Sequence, residues 1–201
     1  VYAGSSSAYG DVDEPRKHEA LREDPLSPYA ATKLAGELYC RSFARVYDLP
    51  IVVTRFFNVF GPRQVPDSPY SGVVAAFCFA LLKAGEGMRP RIDGDGLQTR
   101  DFTYVADVAR GCRLAMEAEV SGCEVINLAC GGNHSIRALL DQLIECSGVS
   151  VEPIVAPPRT GDVRDSTADI SRAREVLGFE PQVSFAEGLQ KTFDWYRSTY
   201  S

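Results

Sequence analysis

"PYAATKLAGELYCRSFARVYDLPIVVTRF", residues 28–56, joins two periodicities that together decide the fold class. Between Pro28 and Tyr47 the apolar residues Ala31, Leu34, Ala35, Leu38, Phe43 and Val46 recur at helical spacing. Ser27 suits the N-cap and Pro28 the first turn, so a helix is predicted over 28–47. "LPIVVTRF" is a continuous β-branched run, the signature of a strand covered on both faces of a parallel sheet. Working outward, "VYAGS" predicts an opening strand, and residues 10–28 form a polar, proline-bearing loop. Helices are expected at 72–84, 105–119, 135–147, 171–177 and 184–200, with strands at 124–129 and 151–155. Alternating strands and helices give an α/β fold with a mainly parallel sheet. The strands are too few for a complete doubly wound sheet, and the chain opens without methionine on an unpaired strand. Both features point to an N-terminal part that precedes these residues.

With 201 residues, 45% of them hydrophobic, the chain can bury a substantial core. A net charge of -6 with scattered cations offers no basic face for a phosphate backbone, so nucleic acid is not an expected partner. The six cysteines (40, 78, 112, 123, 130 and 146) form no CxxC pair and no metal-ligand spacing. No metal is expected; the cysteines read as buried, reduced thiols of a cytoplasmic protein. The longest apolar run, Gly72 to Leu82, is too short to cross a bilayer, so no membrane span is expected.

Tyr29 and Lys33 lie at i and i+4, side by side on one helix face. A phenol is a poor base near neutrality, and an ammonium held beside it favours the phenolate. Taken alone, the pair is equally compatible with a packed tyrosine and a solvated lysine. Ser5, Ser6 and Ser7 place three hydroxyls just past the opening strand, where ligands collect in open α/β sheets, although a serine-rich turn would look the same.

In order along the chain, "SSSAYGD", "PLSPYAATKLAGE", "TRFFNVFGPRQ", "SPYSG", "GDGLQTRDFTYVADVA", "INLACGG", "RTGDVRDSTADISRA" and "LGFEPQVSFAEGL" resemble the extended short-chain dehydrogenase/reductase family. Within it they are most similar to the NAD-dependent nucleotide-sugar 4-epimerases. The resemblance implies a partial Rossmann-like doubly wound sheet with its N-terminal strands missing, plus a smaller α/β substrate domain. Residues 1–61 and 102–131 would belong to the former, 62–101 and 132–201 to the latter. Relatives carry a glycine-rich strand-turn-helix for the cofactor pyrophosphate that this sequence does not contain, so the isolated 201 residues are expected to be inactive.

The same resemblance assigns roles. Tyr29 corresponds to the general base, Lys33 to its partner and nicotinamide-ribose ligand, and Ser5 to the hydroxyl on the reacting sugar oxygen. Ala3 would meet NAD through its backbone; Phe56 matches a nicotinamide-side aromatic that is commonly tyrosine. Arg100 and Arg159 match diphosphate ligands, Asn58 a substrate-contacting amide, Asp162 a uridine-ribose acceptor, and Val73 and Ile92 walls around the uracil. Ser6 and Ser7 stand where dehydratases carry an acid pair and decarboxylases a glutamate, which favours epimerisation. Ser166 aligns with a gate residue that is bulky in galactose-restricted relatives, so the implied substrates are UDP-GlcNAc/UDP-GalNAc and UDP-Glc/UDP-Gal. The alternatives are a UDP-glucuronate 4-epimerase or another sugar-nucleotide epimerase/dehydratase, or a non-catalytic sugar-nucleotide-binding fragment. A homodimer is implied for the full-length parent.

Overall fold

The computed structural model describes residues 1–66, 72–159 and 163–200. The elements run β1 (Tyr2–Ser5), α1 (Pro28–Tyr47), β2 (Ile51–Phe56), β3 (Asn58–Phe60), α2 (Val73–Leu82), β4 (Arg91–Asp93), β5 (Thr99–Arg100) and β6 (Phe102–Tyr104). They continue with α3 (Val105–Glu117), β7 (Cys123–Leu128), β8 (His134–Ser135), α4 (Ile136–Ser147), β9 (Ile154–Ala156), β10 (Asp165–Ser166), α5 (Ser171–Leu177) and α6 (Phe185–Tyr200). The long elements match the periodicity. The strand expected at 151–155 instead occupies Ile154–Ala156, because Pro153 cannot donate to a ladder. All six cysteines are free, but only Cys78 is buried; the other five are half-buried, which corrects the expectation of a wholly buried set.

Strand β2 is the centre of a parallel sheet ordered β1-β2-β7, with Tyr2 opposite Val53 and Thr54 opposite Ile126. Its residues 52–55 are all buried, as a strand covered on both faces must be. Val52 joins Ile126 and Leu128 with Val108 and Ala115 of α3 and Ala173 and Leu177 of α5. On the opposite face Arg55 meets α1. That helix starts where Ser27 Oγ accepts the Ala30 N–H at 3.1 Å and ends at Asp48 in the left-handed region, φ 52°.

Only Ala30, Glu37 and Ala44 of α1 are buried, seven residues apart along one narrow stripe. At its middle Glu37 and Arg55, both fully buried, form an ion pair, with Arg55 Nη2 donating to Glu37 Oε2 at 2.7 Å and Nε at 3.1–3.2 Å. Glu23 adds a second carboxylate at 2.9 Å, and the guanidinium lies 4.6 Å over the Tyr9 ring. Tyr9 in turn donates to Asn127 Oδ1 at 2.7 Å, and burial pushes its phenol up to about 12. Gly4 permits this approach, since a Cβ there would stand 2.8 Å from Glu37 Oε1.

A second core fills the space between α2, α4 and α6, built on Phe77, Leu81, Leu139, Leu143, Leu189 and Phe193. The two cores interleave more than the expected domain bounds suggest. Phe60, Phe102 and Tyr104 of β3 and β6 belong to this second core, whereas Ala168 to Phe179 pack with the sheet. Helix α5 packs against the parallel sheet, whereas β10 pairs with β5. Among the described residues no helix is long and apolar enough to cross a membrane.

Removing one partner of a buried ion pair strands the other charge. Glu37→Ala is expected to lower unfolding stability by about 3–5 kcal/mol, whereas Glu23→Ala, at the partly exposed end, is expected to lose about 1 kcal/mol or less. Urea denaturation read by circular dichroism measures both; equal losses would contradict the ranking.

Candidate active site

Parallel strands of an open sheet leave a crevice beyond their carboxyl ends. Ser5 ends β1 and Phe56 ends β2 here, and with Gly4, Tyr29, Lys33, Asn58 and Val73 they line a cavity of about 310 Å³. Ser5 is 8% exposed and caps the short turn that follows: its Oγ accepts the Ser7 N–H at 3.2 Å and the Ser7 hydroxyl at 2.8 Å. Both acceptor positions of the Ser5 oxygen are thereby filled, which leaves its own proton to donate.

Tyr29 and Lys33 come from the first turns of α1. Lys33 Nζ donates to the Ala3 carbonyl at 3.1 Å and lies 6.0 Å from the Tyr29 ring centre and 5.8 Å from that of Tyr2. Tyr2 OH donates back to the Lys33 carbonyl at 3.3 Å, pinning the helix to the strand. Gly36 is required there, because a Cβ would overlap the Tyr2 hydroxyl at 2.0 Å.

Two further cavities adjoin the first, and Asn58 lines all three. One, of about 260 Å³, brings together Ser6, Ser7, Lys17, Arg100 and Ser166. Lys17 is 3% exposed, its ammonium donating to the Val12 and Glu14 carbonyls at 2.5 and 3.0 Å. The other, of about 560 Å³, is bounded by Val73, Arg91, Asp93, Gln98, Arg100 and Arg159. Arg100 therefore separates the two. Its neighbour Asp101 is fully buried and accepts the N–H groups of Cys130, Gly131 and Ala168 at 3.0, 2.8 and 3.2 Å. Burial pushes the Asp101 carboxyl up to about 6 against the pull of those bonds.

The structure thus brings Ser5, Tyr29, Lys33 and Phe56 to one cavity, Ser6, Ser7 and Ser166 to the next, and Arg159 to the third. Ile92 is not brought to any of these walls: it is 2% exposed within the apolar core, which corrects its expected place beside the base. Strand alternation is the reason, since Ile92 points inward while Arg91 and Asp93 take the cavity side. Asp162 lies outside the described residues. Lys17, Arg91, Asp93 and Gln98 were missed by the sequence reading; the alternating Arg-Ile-Asp of "RID" was the signal available.

The model of the NAD dependent epimerase/dehydratase family matches residues 1–129. The chain is 40% identical to a UDP-glucose 4-epimerase of Mycolicibacterium smegmatis, over 98% of this chain and 61% of the relative. It is 38% identical to a UDP-glucuronate 4-epimerase of Thermodesulfobacterium geofontis, over 97% and 58%. A UDP-N-acetylglucosamine 4-epimerase of Methanobrevibacter ruminantium, solved with UDP-N-acetylmuramic acid, superimposes with a TM-score of 0.92 at 37% identity, over 98% of this chain and 62% of that one. The chain spans about three-fifths of the length of the curated relatives it matches. It belongs to the NAD dependent epimerase/dehydratase family.

Ser5→Ala removes the cap acceptor of the turn at Ser6–Tyr9 and is expected to lower stability by about 1 kcal/mol, read as a shift of the urea midpoint. No shift would show that the Ser7 bonds to Ser5 carry no energy.

Proposed function

We propose that the full-length protein interconverts the C4 epimers of a UDP-sugar, with NAD as its bound redox partner. The observation that carries this reading is the meeting of Ser5, Tyr29 and Lys33 on one cavity at the carboxyl ends of β1 and β2. NAD suits the residues present: a lysine ammonium stands over the Ala3 backbone beside Phe56, where a ribose and a nicotinamide edge can be held. When bound, NAD would supply the hydride acceptor and donor for C4 of the sugar.

The chain's own residues handle the proton. Tyr29, as a phenolate favoured by Lys33, removes it from the sugar O4 as the carbonyl forms, holds it as the neutral phenol, and gives it back on return. Ser5, its acceptor positions filled by Ser7, donates to the same oxygen throughout. Arg100 and Arg159 hold the diphosphate while the sugar turns over, so the anchor and the mobile ring occupy different cavities. Asp162 is assigned to the uridine ribose in the same reading.

Ser166, a small side chain in the cavity beside Ser6 and Ser7, leaves space for an acetamido group, which favours UDP-GlcNAc/UDP-GalNAc together with UDP-Glc/UDP-Gal. One observation favours a second reading, UDP-glucuronate. The described lining of that cavity holds Lys17, Arg100 and several hydroxyls but no carboxylate, a setting suited to an anionic sugar. Homodimerisation belongs to the same proposal. The outer face of α1 exposes Leu38, Tyr39, Phe43, Val46 and Tyr47, a run of apolar surface that a second copy would cover.

Incubation of the full-length protein with NAD and each UDP-sugar, followed by proton NMR, is expected to give the C4 epimer without accumulation of NADH. Net NADH, or no new sugar signal, would refute epimerisation. Ser166→Tyr is expected to slow the N-acetylhexosamine about 10- to 100-fold relative to the hexose. A wild-type preference for UDP-glucuronate would establish the second reading instead.

A further inference from the structure

Strand β4 runs parallel to β9, with Asp93 opposite Ala156, so the turn beyond Ala156 returns Arg159 to the side of Asp93. Asp93 is 8% exposed and grips two guanidinium groups at once. Arg91 Nε donates to its Oδ1 at 2.8 Å and Arg159 Nε to its Oδ2 at 2.5 Å. The strand is itself braced, Gln98 Nε2 donating to the Asp93 carbonyl at 2.7 Å and Gly94 N to Ala156 O at 2.8 Å. Burial pushes the Asp93 carboxyl up, but the bonds from Arg91 and Arg159 outweigh it and hold the group below the usual carboxylate range.

Both arginines are held only by Nε. Among the described residues none of their Nη groups has a partner, and the two side chains are 64% and 75% exposed at the edge of the 560 Å³ cavity. Arg89 on the same rim differs, being committed to the Glu152 and Pro153 carbonyls. Two cations this close would repel and spread without the carboxylate between them.

We infer that Asp93 is a positioning residue that holds Arg91 and Arg159 as a two-guanidinium clamp, and that Arg91 is a further ligand of the substrate's diphosphate. The inference rests on the reading of this cavity as a nucleotide-sugar site. A diphosphate offers oxygens on two phosphorus atoms, and each fork can present two parallel N–H donors to one of them. An arginine already fixed at Nε loses less rotamer freedom on binding than a free one.

The test is calorimetric titration of the full-length protein with UDP and with uridine. Asparagine offers one oxygen and one NH2 group, so in Asp93→Asn one guanidinium keeps its acceptor and the other faces a donor. UDP affinity is expected to fall about tenfold in Asp93→Asn and in Arg91→Gln, with uridine affinity unchanged within about twofold. The KM for the UDP-sugar should rise about tenfold with kcat unchanged within about twofold, and Asp93→Glu should recover part of the loss. UDP binding that is unchanged or tighter in Asp93→Asn would reduce the carboxylate to a charge screen and overturn the clamp. Equal loss of uridine would assign Asp93 a structural role and overturn it too. A wild-type protein that binds no UDP would refute the nucleotide-sugar reading itself, whatever the variants do.

Discussion

The pair between Glu37 and Arg55 sets the geometry on which everything else in this molecule depends. Helix α1 buries little apolar surface on the sheet, with Ala30 and Ala44 the only other buried positions, so sliding or rolling would be weakly opposed by packing alone. A fully buried carboxylate that must meet a fully buried guanidinium removes that freedom. Tyr29, Lys33 and Glu37 follow one another at four-residue intervals and share a face. The register that brings Glu37 to Arg55 therefore also brings Lys33 to the Ala3 carbonyl and Tyr29 to the cavity beside Ser5. Tyr9 and Asn127 extend the pair across the sheet, since Asn127 Nδ2 donates to the Lys17 carbonyl at 2.8 Å and so fixes the loop that closes the serine-lined cavity.

Charge is distributed in keeping with a division between holding and turning. The rims nearest β4 and β5 carry Arg91, Arg100 and Arg159, each set by a neighbouring acid or carbonyl rather than left to roam. Among the described residues the cavity beside Ser5 carries no such fork; its polar side chains are Ser5, Tyr29, Lys33, Asn58 and Gln64. A ligand with a phosphate-rich end and a neutral, hydroxylated end would be gripped at the former and allowed several orientations at the latter.

How much of this was legible beforehand depends on element length. The 20 residues of α1 and the six of β2 supply enough repeats for their periods to declare themselves. Strands of two or three residues, β3 to β6 and β8 to β10, carry too few, and the misplacement of Ile92 follows directly: with β4 only Arg91–Asp93, nothing in sequence says which of the three faces the core. Ser5, Tyr29 and Lys33 could be singled out because they sit at the end of β1 and the start of α1 in a familiar order. The pairing of Asp93 with Arg159 was not, because 66 residues separate them and only the β4–β9 ladder brings them together. Which core Phe60 or Ala168 joins is likewise a tertiary fact.

The central claim is that Tyr29 and Lys33 act as one unit whose orientation α1 imposes. A double-mutant cycle on kcat, using Tyr29→Phe, Lys33→Met and the combination in the full-length NAD-loaded protein, tests it directly. Each single change is expected to lower kcat by about 10²- to 10⁴-fold, and the double variant to be no slower than the slower single. Losses that multiply would show two independent side chains and contradict the account.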